Sequence, residues 1–159
     1  ELIDEGCQVI VVACNTVSTT LITELREKFT VPLIAIEPMV KPASEITKSN
    51  VIAVCATPTT LASDRYAWLK KTYAEGVRVI EPDTSNWSKM IEDDKTNHDK
   101  IKEQIDEVLS ESADVIVLAC THYHWIEKDI VQLAADRARV LQPEQPIIEQ
   151  LKRVLAQLA

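Results

Sequence analysis

Apolar positions along the chain fall into two kinds of pattern: short unbroken runs and longer stretches with helical spacing. Residues 8–13 (QVIVVA) form a continuous β-branched run, the pattern of a strand buried on both faces. Similar runs recur at 31–36 (VPLIAI), 51–55, 77–80 and 114–119 (DVIVLA). Leu21, Ile22, Leu25 and Phe29 return at helical spacing over 18–28, and the same spacing predicts helices over 61–74, 97–110, 125–137 and 147–158. Alternating apolar strands and helices predict an α/β fold, a parallel sheet with helices on both faces. Pro38, Pro42 and the Ser/Thr/Asn cluster before Val51 mark a crossing between lobes. The charged stretch 92–99 reads as a solvated loop leading into a helix. The first six residues read as the last turn of a helix closed by Gly6 in the left-handed cap position. That reading, with no initial Met, leads us to expect further residues upstream.

Composition narrows the function classes. At 159 residues the chain can hold one good-sized domain or parts of two small lobes with a cleft between them. Hydrophobic residues at 46% and charged residues at 26% are ordinary for a globular protein and too apolar for a disordered one. The net charge of −8, with no basic patch beyond the pair Lys70 and Lys71, disfavours a nucleic acid or an anionic membrane as partner. No apolar run approaches the roughly 20 residues of a membrane span, no secretory leader is recognisable, and the expected compartment is the cytoplasm. With two glycines and neither G-x-G-x-x-G nor a P-loop, the usual nucleotide-binding modes are disfavoured. The four cysteines, Cys7, Cys14, Cys55 and Cys120, fit neither a disulfide framework nor a zinc ribbon and are expected to be free thiols.

Two of these cysteines have matching surroundings. One strand runs out as Val-Val-Ala-Cys14-Asn15-Thr16 and another as Val-Leu-Ala-Cys120-Thr121-His122. In open α/β sheets ligands bind at the carboxyl ends of strands. A helix beginning there offers unpaired N–H groups and a partial positive charge, both favourable to a thiolate. A single cysteine ending a strand is usually a small buried hydrophobe. Two in the same context point to a functional thiol pair, while Cys7 and Cys55 lack part of that context and are assigned to packing. Cys120-x-His122-x-His124 could also suggest a metal site, but without a fourth ligand nearby this is the weaker reading, and His124 reads as a surface residue. Trp68, Trp87 and Trp125 are assigned to packing, with Trp125 close enough to the second motif to line a cleft.

Ala13-Cys14-Asn15-Thr16 and Ala119-Cys120-Thr121-His122-Tyr123 resemble the two signature motifs of the glutamate racemases, in the aspartate/glutamate racemase superfamily. Ile36-Glu37-Pro38, Ala56-Thr57-Pro58-Thr59-Thr60, Ser63, Tyr66 and Ile91-Glu92 support the resemblance, which covers nearly the whole chain. It implies a two-lobed α/β protein, each lobe a parallel sheet flanked by helices. Residues 1–36 with 113–159 would form a first, incomplete lobe, and 37–112 the second.

The implied activity is interconversion of L- and D-glutamate with no cofactor and no metal, supplying D-glutamate for peptidoglycan. Inverting the α-carbon requires a base on one face and an acid on the other, and a thiolate and a thiol meet that need. By resemblance Cys14 acts on D-glutamate and Cys120 on L-glutamate, with His122 assisting Cys120. Asn15, Thr16, Thr57, Thr60, Glu92 and Thr121 would bind the substrate, Glu92 by the weakest match.

The chain departs from the family pattern in having neither the Asp-Ser-Gly nor the Pro-Tyr-Gly motif that contributes to the active site, and His124 stands where proline is usual. A first lobe without its early strands would expose sheet edges, so a homo-oligomer, a dimer, is expected. Two other readings stay open: a catalytically inactive racemase-fold protein that binds or oligomerises, and a racemase for aspartate or another acidic amino acid.

Overall fold

The computed structural model describes residues 1–158 as two parallel sheets clothed by helices. The elements in order are β1 (Ile10–Val12), α1 (Asn15–Thr20), α2 (Ile22–Lys28), β2 (Leu33–Ala35), α3 (Val40–Ile46), β3 (Val51–Ala56), α4 (Pro58–Leu61) and α5 (Asp64–Tyr73). There follow β4 (Arg78–Ile80), α6 (Trp87–Glu92), α7 (His98–Ser110), β5 (Val115–Ala119), a 3₁₀ helix (Thr121–Ile126), α8 (Glu127–Ala134), β6 (Arg139–Leu141) and α9 (Glu144–Leu158). Among the described residues no helix is long and apolar enough to cross a membrane.

The larger sheet has the order β4-β3-β5-β6, and β1 pairs with β2 in a separate two-stranded sheet. The alternation along β3 and β5 explains why the larger sheet is covered on both sides. Ala53, Cys55, Ile116 and Leu118 face Trp87, Ile101, Ile105 and Ile130, while Ile52, Val54, Val115 and Val117 face Val40, Ala43, Tyr66 and Leu69. These side chains are almost wholly removed from water. Each fully buried aliphatic contributes about 1.5–3 kcal/mol.

Residues 113–158 do not rejoin residues 1–36 as a unit, contrary to the expected division of the chain, which put 113–159 with 1–36. β5 pairs in register with β3 from Ile52↔Val115 to Ala56↔Ala119, and β6 extends the same sheet. The apolar run of β5 is buried on both faces, which only a central strand of the larger sheet can satisfy. Of this stretch it is α9 that packs on β2. The run at 8–13 is likewise only half-buried, because β1 has one strand neighbour and helices do not enclose both its faces.

Local chemistry accounts for the breaks within the expected helices. Thr19 and Thr20 turn their hydroxyls back onto the carbonyls of Asn15 and Thr16, at 2.9 and 2.7 Å, a geometry that bends helices, and α1 gives way to α2 at Leu21. Thr57 caps α4, with Pro58 at its first position, and Ser63 caps α5 by accepting from the Tyr66 N–H at 3.2 Å. The helix α3 and the short α6 were not expected. Pro42 is tolerated in α3 because it falls in the first turn, where its missing N–H has no helical partner to lose. The opening turn is capped as expected: Gly6 has φ 82°, and its N–H and that of Cys7 donate to Ile3 and Leu2.

Candidate active site

The pairing of Ala56 with Ala119 brings β3 and β5 to an end at the same level. Thr57 and Cys120 therefore leave neighbouring strands side by side, at the carboxyl edge where α/β proteins bind ligands. Cys120 holds extended backbone, φ −149° and ψ 133°, directly before the 3₁₀ helix. Cys14 does the same before α1, with φ −150° and ψ 119°. Both sulfurs are only partly buried, unlike Cys55.

Around Cys120 the structure assembles a chain of polar groups. The sulfur lies 3.7 Å from Nδ1 of His122, and Nε2 of His122 lies 2.7 Å from a carboxylate oxygen of Glu92. An ionised carboxylate accepts only, so in the neutral form of the ring the proton lies on Nε2 and the Nδ1 lone pair faces the sulfur. An imidazole held in this way can take a proton from the thiol. Glu92, matched by resemblance to a substrate-binding position, thus rests against the histidine. The Ser88 hydroxyl lies 3.4 Å from the same sulfur. Sequence reasoning missed Ser88 because six-residue α6 shows no helical period, although Ser88 and Glu92 are separated by one helical turn.

Two buried aromatics hold α6 in place. Trp87 is fully buried, donates from Nε1 to Gln104 at 2.6 Å and packs edge-on against Tyr123 at 5.1 Å between centroids. The Tyr123 hydroxyl donates to the Thr84 carbonyl at 3.1 Å, and Thr84 donates to the Ala56 carbonyl at 2.9 Å. The loop before α6, the end of β3 and the segment after Cys120 are therefore tied together. Burial raises the Tyr123 phenol above its ordinary range, so it stays neutral.

A second cluster joins the two sheets' loops. Thr16 lies 2.9 Å from Thr57 and 3.1 Å from Thr60, and Thr57 and Thr60 are 3.0 Å apart. Three hydroxyls from α1 and the start of α4 thus meet at one point. Beside them Asn15 is 2% exposed, and neither its amide nitrogen nor its oxygen has a partner among the described residues. A buried amide with both ends unsatisfied costs stability unless a ligand or water completes it.

A largely apolar cavity of about 450 Å³ joins the end of β1 to the second motif, lined by Val11, Ala13, Cys120, Thr121, His124 and Ile147 among others. The Cys14 sulfur has no hydrogen bond among the described residues and does not line this cavity. His124 and His122 diverge, His124 toward Gln142 at 3.2 Å and His122 toward Glu92, so the two rings do not converge on one point. Cys55 is completely enclosed, and burial pushes its thiol up to about 12. Glu37 receives a two-pronged ion pair from Arg65 at 2.8 and 3.1 Å, which pins α5 to the crossing after β2.

Parallel sheets carrying paired cysteine, threonine and histidine motifs at strand ends define an amino-acid racemase architecture. Residues 1–151 match the Asp/Glu/Hydantoin racemase family, and the chain belongs to it. It is 35% identical to the glutamate racemase of Ralstonia pickettii over 98% of its own length and 56% of that protein's. It is 33% identical to the glutamate racemase of Herpetosiphon aurantiacus, over 98% and 63%. The chain thus spans about three-fifths of the length of these relatives.

Among solved structures, the fold is similar to Escherichia coli glutamate racemase in complex with L-glutamate and the activator UDP-MurNAc-ala, with a TM-score of 0.82 and 24% identity over 95% of this chain and 59% of that one. It is also similar to glutamate racemase from Aquifex pyrophilus, with a TM-score of 0.67 and 28% identity over 96% and 61%.

Proposed function

We propose that this chain interconverts L- and D-glutamate by proton transfer at the α-carbon, with Cys120 and Cys14 as the two acid/base groups. The observation that carries the proposal is the placement of His122 between the Cys120 sulfur and Glu92. Such an imidazole can hold the thiol's proton and leave a thiolate to take the α-proton of L-glutamate. A thiol at Cys14 on the opposite face returns a proton to the carbanion, giving D-glutamate. In the reverse direction the two sulfurs exchange roles.

The buried amide of Asn15 and the hydroxyls of Thr16, Thr57, Thr60 and Thr121 supply donors and acceptors for the substrate's carboxylates and ammonium. No cofactor is needed for this chemistry. Its product is D-glutamate for peptidoglycan, made in the cytoplasm.

The test is α-proton exchange of L- and D-glutamate in heavy water, followed by NMR, with aspartate as the competing substrate. Exchange with inversion of glutamate is expected. No exchange by folded protein overturns the reading, and preference for aspartate reassigns the substrate.

A further inference from the structure

Resting on that reading, we infer that Ser88 is a positioning residue for Cys120, serving its sulfur in both protonation states. In a two-base racemisation the same sulfur must be a thiolate in one direction and a thiol in the other. A serine hydroxyl rotates freely and can donate to a thiolate or accept from a thiol. At 3.4 Å from the sulfur, Ser88 is within hydrogen-bonding reach for either arrangement.

The geometry gives this contact a defined place. Ser88 and Glu92 stand one turn apart on α6, the first against Cys120 and the second against His122. One helical face therefore addresses both members of the cysteine–histidine pair. The two depend on the same anchor, because buried Trp87 and Tyr123 hold α6 against the segment following β5. Ser88 is half-buried, so its bond to sulfur is partly shielded from competing water.

The ionisable groups around the sulfur are His122 with Glu92 behind it, the neutral Tyr123 phenol, the enclosed Cys55 thiol, and His124 and Glu144 across the cavity. None of them is on Ser88, whose hydroxyl also reaches the neutral Tyr123 phenol, so changing that residue alters these hydroxyl contacts while leaving the charges in place. Donation to the charged form favours the thiolate. Removing the hydroxyl should therefore move the onset of Cys120 reactivity to higher pH.

The test compares Ser88→Thr with Ser88→Val, a pair nearly equal in shape and differing in the hydroxyl, together with Ser88→Ala. The rate of iodoacetamide alkylation at Cys120 is followed by peptide mass spectrometry across pH 6–10, with Cys14 as internal control. The alkylation midpoint is expected about one pH unit higher in the Val and Ala variants than in the Thr variant and the unsubstituted chain. Cys14 should be unchanged. Equal midpoints for Thr and Val overturn the inference, as does a parallel shift at Cys14. Because the readout is thiol chemistry, it decides the role of Ser88 whether or not the chain turns over glutamate, and the heavy-water exchange separately decides the racemase reading.

Discussion

The carboxylate of Glu92 lies 2.7 Å from Nε2 of His122 and thereby selects Nδ1 as the ring nitrogen that faces the Cys120 sulfur. Both side chains are too exposed for the pair to contribute much to stability, with side-chain exposures of 38% and 62%. Its consequence is orientation.

Replacing Glu92 should therefore separate activity from stability. Glu92→Gln keeps an acceptor and should lower kcat roughly ten-fold, whereas Glu92→Ala should lower it roughly a hundred-fold or more, within the range of general acid–base effects. Both should unfold within about 0.5 kcal/mol of the parent. Steady-state kinetics and urea titration on the same preparations check this. A loss of stability matching the loss of rate would point to a structural role instead.

The two-thiol assignment makes a sharper demand. Cys14→Ala and Cys120→Ala should each abolish racemisation while leaving the circular dichroism spectrum unchanged, and Cys7→Ala should be silent. Turnover surviving in either of the first two variants would refute a mechanism with one thiol on each face.

Among the threonines, the two roles of Thr57 can be resolved. It caps α4 and also touches Thr16 and Thr60. Thr57→Ala should cost about 1 kcal/mol for the lost cap. Thr16→Val, which removes no cap, should raise KM for glutamate with a stability loss of about 1 kcal/mol or less. Denaturant midpoints and KM values measured together distinguish the two.

Alkaline pH should weaken the fold. The Cys55 thiol is pushed by burial from 9.0 up to about 12 in the folded protein, and burial raises the Tyr66 and Tyr123 phenols as well, with Glu81 adding to the effect at Tyr66. Above about pH 9 the unfolded chain releases the Cys55 proton while the folded chain retains it. Stability is therefore fully present below pH 9 and declines toward pH 12, because the unfolded state binds fewer protons. Urea midpoints at pH 8 and pH 10 should show the fall, and Cys55→Ala should reduce its steepness.

Trp87→Phe tests the anchor beneath the site. It leaves the buried Gln104 oxygen without its donor and opens space beside Tyr123, and should destabilise by about 2–4 kcal/mol. Calorimetry checks the size, and a simultaneous drop in Cys120 alkylation rate would show that α6 carries the polar chain.

Much of this architecture was legible in the residue pattern because its causes are local. Unbroken apolar runs such as that of β5 can be satisfied only by burial on both faces, and a cysteine followed by small polar residues marks a strand's end. The turn at Gly6 follows from the left-handed backbone that glycine allows, and the cap of α7 from the Asn97 side chain accepting from the Lys100 N–H three residues on.

What the pattern could not decide was which strands share a sheet. Every parallel strand exposes similar edges, so the pairing of β5 with β3, and hence the allocation of residues beyond 113, depends on how whole helical layers pack. The same holds for Ser88, Glu92 and His122. Their meeting requires a short helix whose position is set by Trp87 and Tyr123, contacts between segments far apart in sequence, and side-chain distances of this kind exist only once the layers have closed.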